Sequence, residues 1–107
     1  MLEIKKKGAH RYSFKLKTES GRTLLKSVEF PKKEDIEVTV RTMKQATKNS
    51  LRFERRTNYE GFFRFDIKNS QGQLIGHSLN YRSEAGMENG MKNLMKNMKS
   101  LLKLGKL

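Results

Sequence analysis

Displaced by 51 residues, the chain falls on a weaker copy of itself without a gap. Phe14 meets Phe65, Lys17 meets Lys68, Gly21 meets Gly72, Ser27 meets Ser78 and Glu37 meets Glu88. Between these identities the residue character holds: Tyr12 with Phe63, Leu16 with Ile67, Leu24 with Ile75, Phe30 with Tyr81, Val40 with Met91, Met43 with Leu94. A unit of this size buries too little surface to be stable alone. The shared register therefore predicts two copies of one supersecondary unit completing a common core.

Each unit reads as three strands and a helix. In the second, residues 51–57 form a short strand, and 61–68 alternate Phe63, Phe65 and Ile67 with Phe62, Arg64, Asp66 and Lys68. One face of that strand is apolar and the other mostly charged. Asn69-Ser70-Gln71-Gly72 supplies a turn, with Gly72 free to take positive φ, and residues 73–80 return as the third strand. The first unit repeats the pattern over 2–7, 11–17, the turn 18–21, and 22–29. Pro31 suits a helix start, and Ser83 suits an N-cap followed by Glu84 in the first turn. Ile36, Val40 and Met43 recur at helical spacing in the first helix. Met87, Met91, Leu94, Met95, Met98 and Leu102 do so in the second.

These readings predict an α+β fold: two tandem β-β-β-α units forming one antiparallel sheet with helices on one face. Residues 1–107 form a single domain with internal repeats 1–50 and 51–102, and 103–107 are a frayed basic tail. The expected core is Tyr12, Phe14, Leu16, Leu24, Ile36, Val40, Met43, Phe63, Phe65, Ile67, Ile75, Met91, Leu94 and Met98.

The run Gly61-Phe62-Phe63-Arg64-Phe65, with Lys68-Asn69-Ser70-Gln71-Gly72-Gln73-Leu74-Ile75, Ser78, Tyr81, Ser83, Ala85-Gly86 and Asn89-Gly90, resembles the repeat of the YegP-like family of small bacterial proteins. The first unit keeps the strand and turn part only. Asp35, Val38 and Thr39 stand where the second unit has Gly86, Asn89 and Gly90. The resemblance implies one antiparallel sheet covered by helices on one face, with the closing strand of each unit exchanged with its neighbour. It implies no activity, because the family is functionally uncharacterised.

Twenty-four Lys and Arg against eleven Asp and Glu give a formal charge of +13, a field that attracts polyanions and acidic surfaces. No cysteine is present, which excludes disulfides and thiolate metal sites. His10 and His77 do not coincide in the repeat, and His77, in step with Ile75, reads as a partly buried strand residue. Ser27 and Ser78 lack the tight elbow of a nucleophile, and no phosphate loop or metal-ligand spacing occurs. The expectation is a non-enzymatic module without cofactor, cytoplasmic, not integral to a membrane, and monomeric through its internal repeat. The partner would be a protein or, alternatively, nucleic acid held weakly and without sequence preference through its phosphates.

Two sets of cations are candidates for such binding. Arg41, Lys44 and Lys48 flank the apolar stripe of the first helix, and Lys92, Lys96, Lys99 and Lys103 flank that of the second. Under two-fold symmetry these shoulders either face each other across a groove or lie on outer flanks. Lys5, Arg11, Lys15, Arg64 and Lys68 form the second set, on the uncovered face of the sheet.

Overall fold

The structure, a computed structural model, describes residues 1–45 and 51–102. Along the chain these form β1 (Leu2–Gly8), β2 (Arg11–Lys17), β3 (Thr23–Ser27), α1 (Lys33–Lys44), β4 (Leu51–Thr57), β5 (Phe63–Asn69), β6 (Leu74–His77), α2 (Glu84–Lys96) and the one-turn α3 (Met98–Leu101). All six strands belong to one antiparallel sheet in the order β1-β2-β3-β6-β5-β4. The alternating apolar residues of β2 and β5, Phe14, Leu16, Phe65 and Ile67, are buried beneath the helices. They join Ile36, Met43, Met87 and Leu94 in one cluster. The chain is thus α+β, with six strands in one sheet and three helices among the described residues.

Local chemistry accounts for the turns and caps. Gly21 and Gly72 have φ of 88° and 81°, the left-handed conformation that closes the β2–β3 and β5–β6 turns without a side-chain clash. Ser83 caps α2 by accepting the Gly86 amide at 3.0 Å. Pro31 precedes α1, whose N-cap, Lys32, makes no side-chain cap bond; Glu34 and Asp35 in the first turn favour that end electrostatically.

The centre of the sheet is its narrowest joint. β3 and β6 share two register pairs, Lys26 with His77 and Ser27 with Gly76, extended by the Val28 amide donating to the Ile75 carbonyl at 2.9 Å. The exchange of closing strands between units is not found. β3 stays on β2 of its own hairpin, β6 stays on β5, and the two closing strands meet edge to edge. A crossed arrangement is unnecessary because the short pairing already joins both hairpins into one sheet.

Two bulges alter the face assignment read from alternation. Leu16 pairs Leu25 and Lys17 pairs Thr23, so Leu24 is the extra residue in β3. Ile67 pairs Gly76 and Lys68 pairs Leu74, so Ile75 is extra in β6. Leu24 and Leu25 are consequently both buried, although alternation alone predicts only Leu24. His77, expected in step with Ile75, instead takes register with Asp66 on the uncovered face and is half-buried there.

The second helix also departs from a continuous stripe. It ends at Lys96, and Asn97 serves both as its C-cap and as the N-cap of α3. Met95 is consequently 51% exposed, whereas Leu101 and Leu102 are buried. Tyr12, Phe63 and Met98 pack against the core from its margin, half-buried, while Leu2, Tyr81 and Met87 belong to its interior. The tail assigned to residues 103–107 lies outside the described residues.

Gly76 and Gly90 occupy places where a methyl group does not fit. A Cβ at Gly76 would strike the Lys26 carbonyl oxygen and stand 2.9 Å from Ser27 Cα; at Gly90 it would strike the Tyr81 hydroxyl and stand 2.8 Å from its Cζ. Gly76→Ala is expected to cost about 1–3 kcal/mol in urea unfolding, the usual range for overpacking, because the obstruction is backbone. Gly90→Ala should cost less in a Tyr81→Phe background than alone, since removing the hydroxyl relieves the contact. A four-variant unfolding cycle measures that difference.

Candidate functional site

The uncovered sheet face is built from the residues that alternate with the core. A row of ionisable side chains crosses it from edge to edge: Glu3 beside Lys15, Lys15 beside Lys26, Lys26 beside His77, His77 beside Asp66, and Asp66 beside Glu54. The two ends of this row are compensated differently. On β4–β5, Arg56 donates to Glu54 at 2.8 Å and to Asp66 at 3.3 Å, and Lys68 lies 3.0 Å from Glu54. Asp66 is 5% exposed; its Oδ1 makes no hydrogen bond and lies 3.4 Å from Arg64 Nε, held by charge alone.

On β1–β2–β3 the balance is different. Glu3 turns to Lys17 at 3.0 Å, and Glu29 receives Arg11 through bonds of 3.2 and 2.9 Å. Lys15 and Lys26 stand directly opposite each other, and neither forms an ion pair among the described residues. Of the five expected cations on this face, Arg11, Arg64 and Lys68 are thus engaged by carboxylates, while Lys5 and Lys15 are not. Lys26 and His77 complete the centre of the row and were not among the expected residues. The bulges that bring them to this face leave no mark in simple alternation.

The helix shoulders divide. Arg41 and Lys44 line a cleft between α1 and β1, at one edge of the sheet. Lys92 acts on Glu88, which receives the Arg55 side chain from β4 at the opposite edge. Arg41 and Lys92 therefore occupy outer flanks, not a common groove. Lys44, Lys96 and Lys99 do come together, in a hollow of about 310 Å³ where the end of α1 meets the α2–α3 junction, beside Met43, Met95 and Met98. Lys48 and Lys103 lie outside the described residues. Among the described residues no group of three or more His, Asp or Glu could hold a metal ion, and no helix is long and apolar enough to cross a membrane.

Four carboxylates are held below the usual glutamate value of 4.5, each chiefly by a hydrogen bond from a cation: Glu3 by Lys17, Glu29 by Arg11, Glu54 by Lys68 and Glu88 by Arg55. A carboxyl whose pKa is depressed on folding adds stability above its unfolded value, and that stability disappears as pH falls through the folded value. The melting temperature should therefore decline as pH is lowered below about 4.5, the usual carboxyl range. The decline should be shallower in Glu54→Gln/Glu88→Gln. Parallel declines in thermal melts from pH 6 to 2 would show that these exposed pairs contribute nothing, as many do.

Residues 59–101 match the family described as a domain of unknown function, DUF1508. The UPF0339 protein YegP of Escherichia coli strain K12 is 28% identical over 86 residues, spanning 80% of this chain and 78% of that protein. A UPF0339 protein from the region 5′ of the ptx operon in Stutzerimonas stutzeri is 29% identical over the same shares. The solution structure of a UPF0339 protein of Shewanella oneidensis has a TM-score of 0.81 at 24% identity, covering 92% of this chain and 83% of that one. The solution structure of Escherichia coli YegP has a TM-score of 0.79 at 27% identity, covering 90% and 83%. The motif string, the domain match over residues 59–101 and the fold agree: the chain is similar to the YegP-like proteins, a family whose function is uncharacterised.

Proposed function

We propose that this chain is a non-enzymatic binding module that receives an acidic partner on the uncovered face of its sheet. The observation that carries this reading is the pairing of Lys15 with Lys26. Like charges directly opposite each other destabilise a sheet; the opposed Arg56 and Arg64 share the Asp66 carboxylate, whereas Lys15 and Lys26 form no ion pair among the described residues. An anionic ligand would relieve the repulsion. Nucleic acid is the second reading, favoured by the +13 formal charge; its contacts would be phosphate contacts, since Phe62 is the sole aromatic alternating onto the strand's charged side and a base-stacking platform needs more.

The test uses the intact protein in a native lysate, with and without nuclease, and Lys15→Gln/Lys26→Gln beside Lys92→Gln/Lys96→Gln/Lys99→Gln. Loss of captured material in the sheet variant alone supports the reading, and nuclease sensitivity selects nucleic acid. For duplex DNA, log affinity should lose about 0.9 of its slope against log salt for each phosphate contact removed. If the helix variant abolishes capture and the sheet variant does not, the surface is assigned wrongly.

The architecture itself supports a tandem origin for this module. Tyr12 and Phe30 exchange backbone hydrogen bonds, as do Phe63 and Tyr81, 51 residues on. The Phe14 amide donates to Ser27 Oγ at 2.8 Å, and the Phe65 amide to Ser78 Oγ at 3.0 Å. Residues 51–107 alone should be unfolded or dimeric, because one unit exposes the edge of its closing strand. A folded monomeric fragment in sedimentation and denaturant unfolding would refute a shared core.

A further inference from the structure

A cleft of about 1130 Å³ separates β1 from α1. Its apolar floor is Ile4 and Tyr12, half-buried, lying over the buried Leu2, Ile36, Val40 and Leu102. Around this floor stand Lys6, Lys33, Arg41 and Lys44, with Glu3 and Glu37 as the acids. Glu3 is already bound to Lys17, so the rim is cationic in balance. Lys6 Nζ lies 5.7 Å from the centroid of the Tyr12 ring, which sets a positive charge at the boundary of the apolar floor.

The opposite edge of the sheet explains why the cleft is open. Fifty-one residues on from Ile4 and Glu37 are Arg55 and Glu88, and their two side-chain hydrogen bonds tie β4 to α2. The counterpart of Leu2 is Phe53, whose ring packs 6.1 Å from that of Phe65. On the β1 side Ile4 cannot form the strap, and the smaller Leu2 stands in place of the aromatic ring. An apolar cleft with a few charged groups at its mouth is the usual form of a small-molecule site.

We propose that this cleft binds a free, single-chain amphipathic anion, a long-chain fatty carboxylate, with its alkyl chain on the floor and its head on the basic rim. Apart from Glu3, which stands at the sheet edge between them, the site shares no residue with the row on the uncovered sheet face.

Isothermal titration of the full chain with decanoate, dodecanoate and tetradecanoate, below their micellar concentrations, tests this. One-to-one binding is expected, tightening by up to about fourfold per methylene added, with dodecyltrimethylammonium at least tenfold weaker. Ile4→Arg places an arginine opposite Glu37 as Arg55 stands opposite Glu88, and should weaken dodecanoate at least tenfold while the melting temperature holds. Arg41→Gln/Lys44→Gln should weaken every carboxylate yet keep the chain-length dependence, and decides the matter if Ile4→Arg fails to fold. The proposal is overturned by equal affinity for the cationic amphiphile, by affinity indifferent to the substitutions, or by no binding. It is equally overturned by binding only to anionic phospholipid vesicles, or only to a chain ending at Leu102, which would make residues 103–107 the occupant.

Discussion

The close approach of β3 to β6 at Gly76 is the contact on which the remaining structure depends. Three strands on either side are joined through Lys26–His77, Ser27–Gly76 and the Val28–Ile75 hydrogen bond, and the backbone of Lys26 lies where a side chain at position 76 would begin. Without that approach there would be two separate hairpin sheets, each with an open edge and an incomplete apolar layer. With it, Phe14 and Leu16 from one side and Phe65 and Ile67 from the other form a continuous floor for the helices.

The bulges at Leu24 and Ile75 act together with this joint. Each shifts register by one residue in a closing strand, which turns an additional aliphatic side chain into the core and realigns the remainder of the strand. The same shift brings Lys26 and His77 into the row that spans the uncovered face. Core packing and surface electrostatics are therefore coupled through backbone geometry. A tighter centre to the core is obtained with two lysines, Lys15 and Lys26, set opposite each other directly behind it.

Much of this could be read from the residues. Alternation identified the hairpins, Gly21 and Gly72 marked their turns, Ser83 marked the start of α2, and most of the expected core is buried. Spatial strand order was not legible, because hydrophobic periodicity specifies which face is apolar but not which strand lies beside which. Nor was the break at Asn97: the apolar spacing through Met95 and Met98 continues across it as though one helix ran on. The helical period placed Arg41 and Lys92 on equivalent shoulders, yet only the packing of α1 toward β1 and α2 toward β4 decides what those shoulders face. The cleft lay beyond reach for the same reason. It depends on the difference between Ile4 and Arg55 opposite a glutamate that is identical in both halves, a comparison that acquires meaning only once strand and helix are side by side.

Ser27 and Ser78 show how the chain leaves the sheet for the helix layer. Each hydroxyl accepts an amide from the neighbouring strand, at Phe14 or Phe65, and donates to the carbonyl of the next residue, Val28 or Leu79. A side chain thus takes over the role of a backbone acceptor at the point where the closing strand bends away, so the bend leaves no amide dry. The protected network continues from strand to strand into the Tyr12–Phe30 and Phe63–Tyr81 bridges. Opening these positions to solvent then requires separating a strand from its neighbour, not fraying a loop, and their protons should exchange with the slow cooperative unit of the molecule.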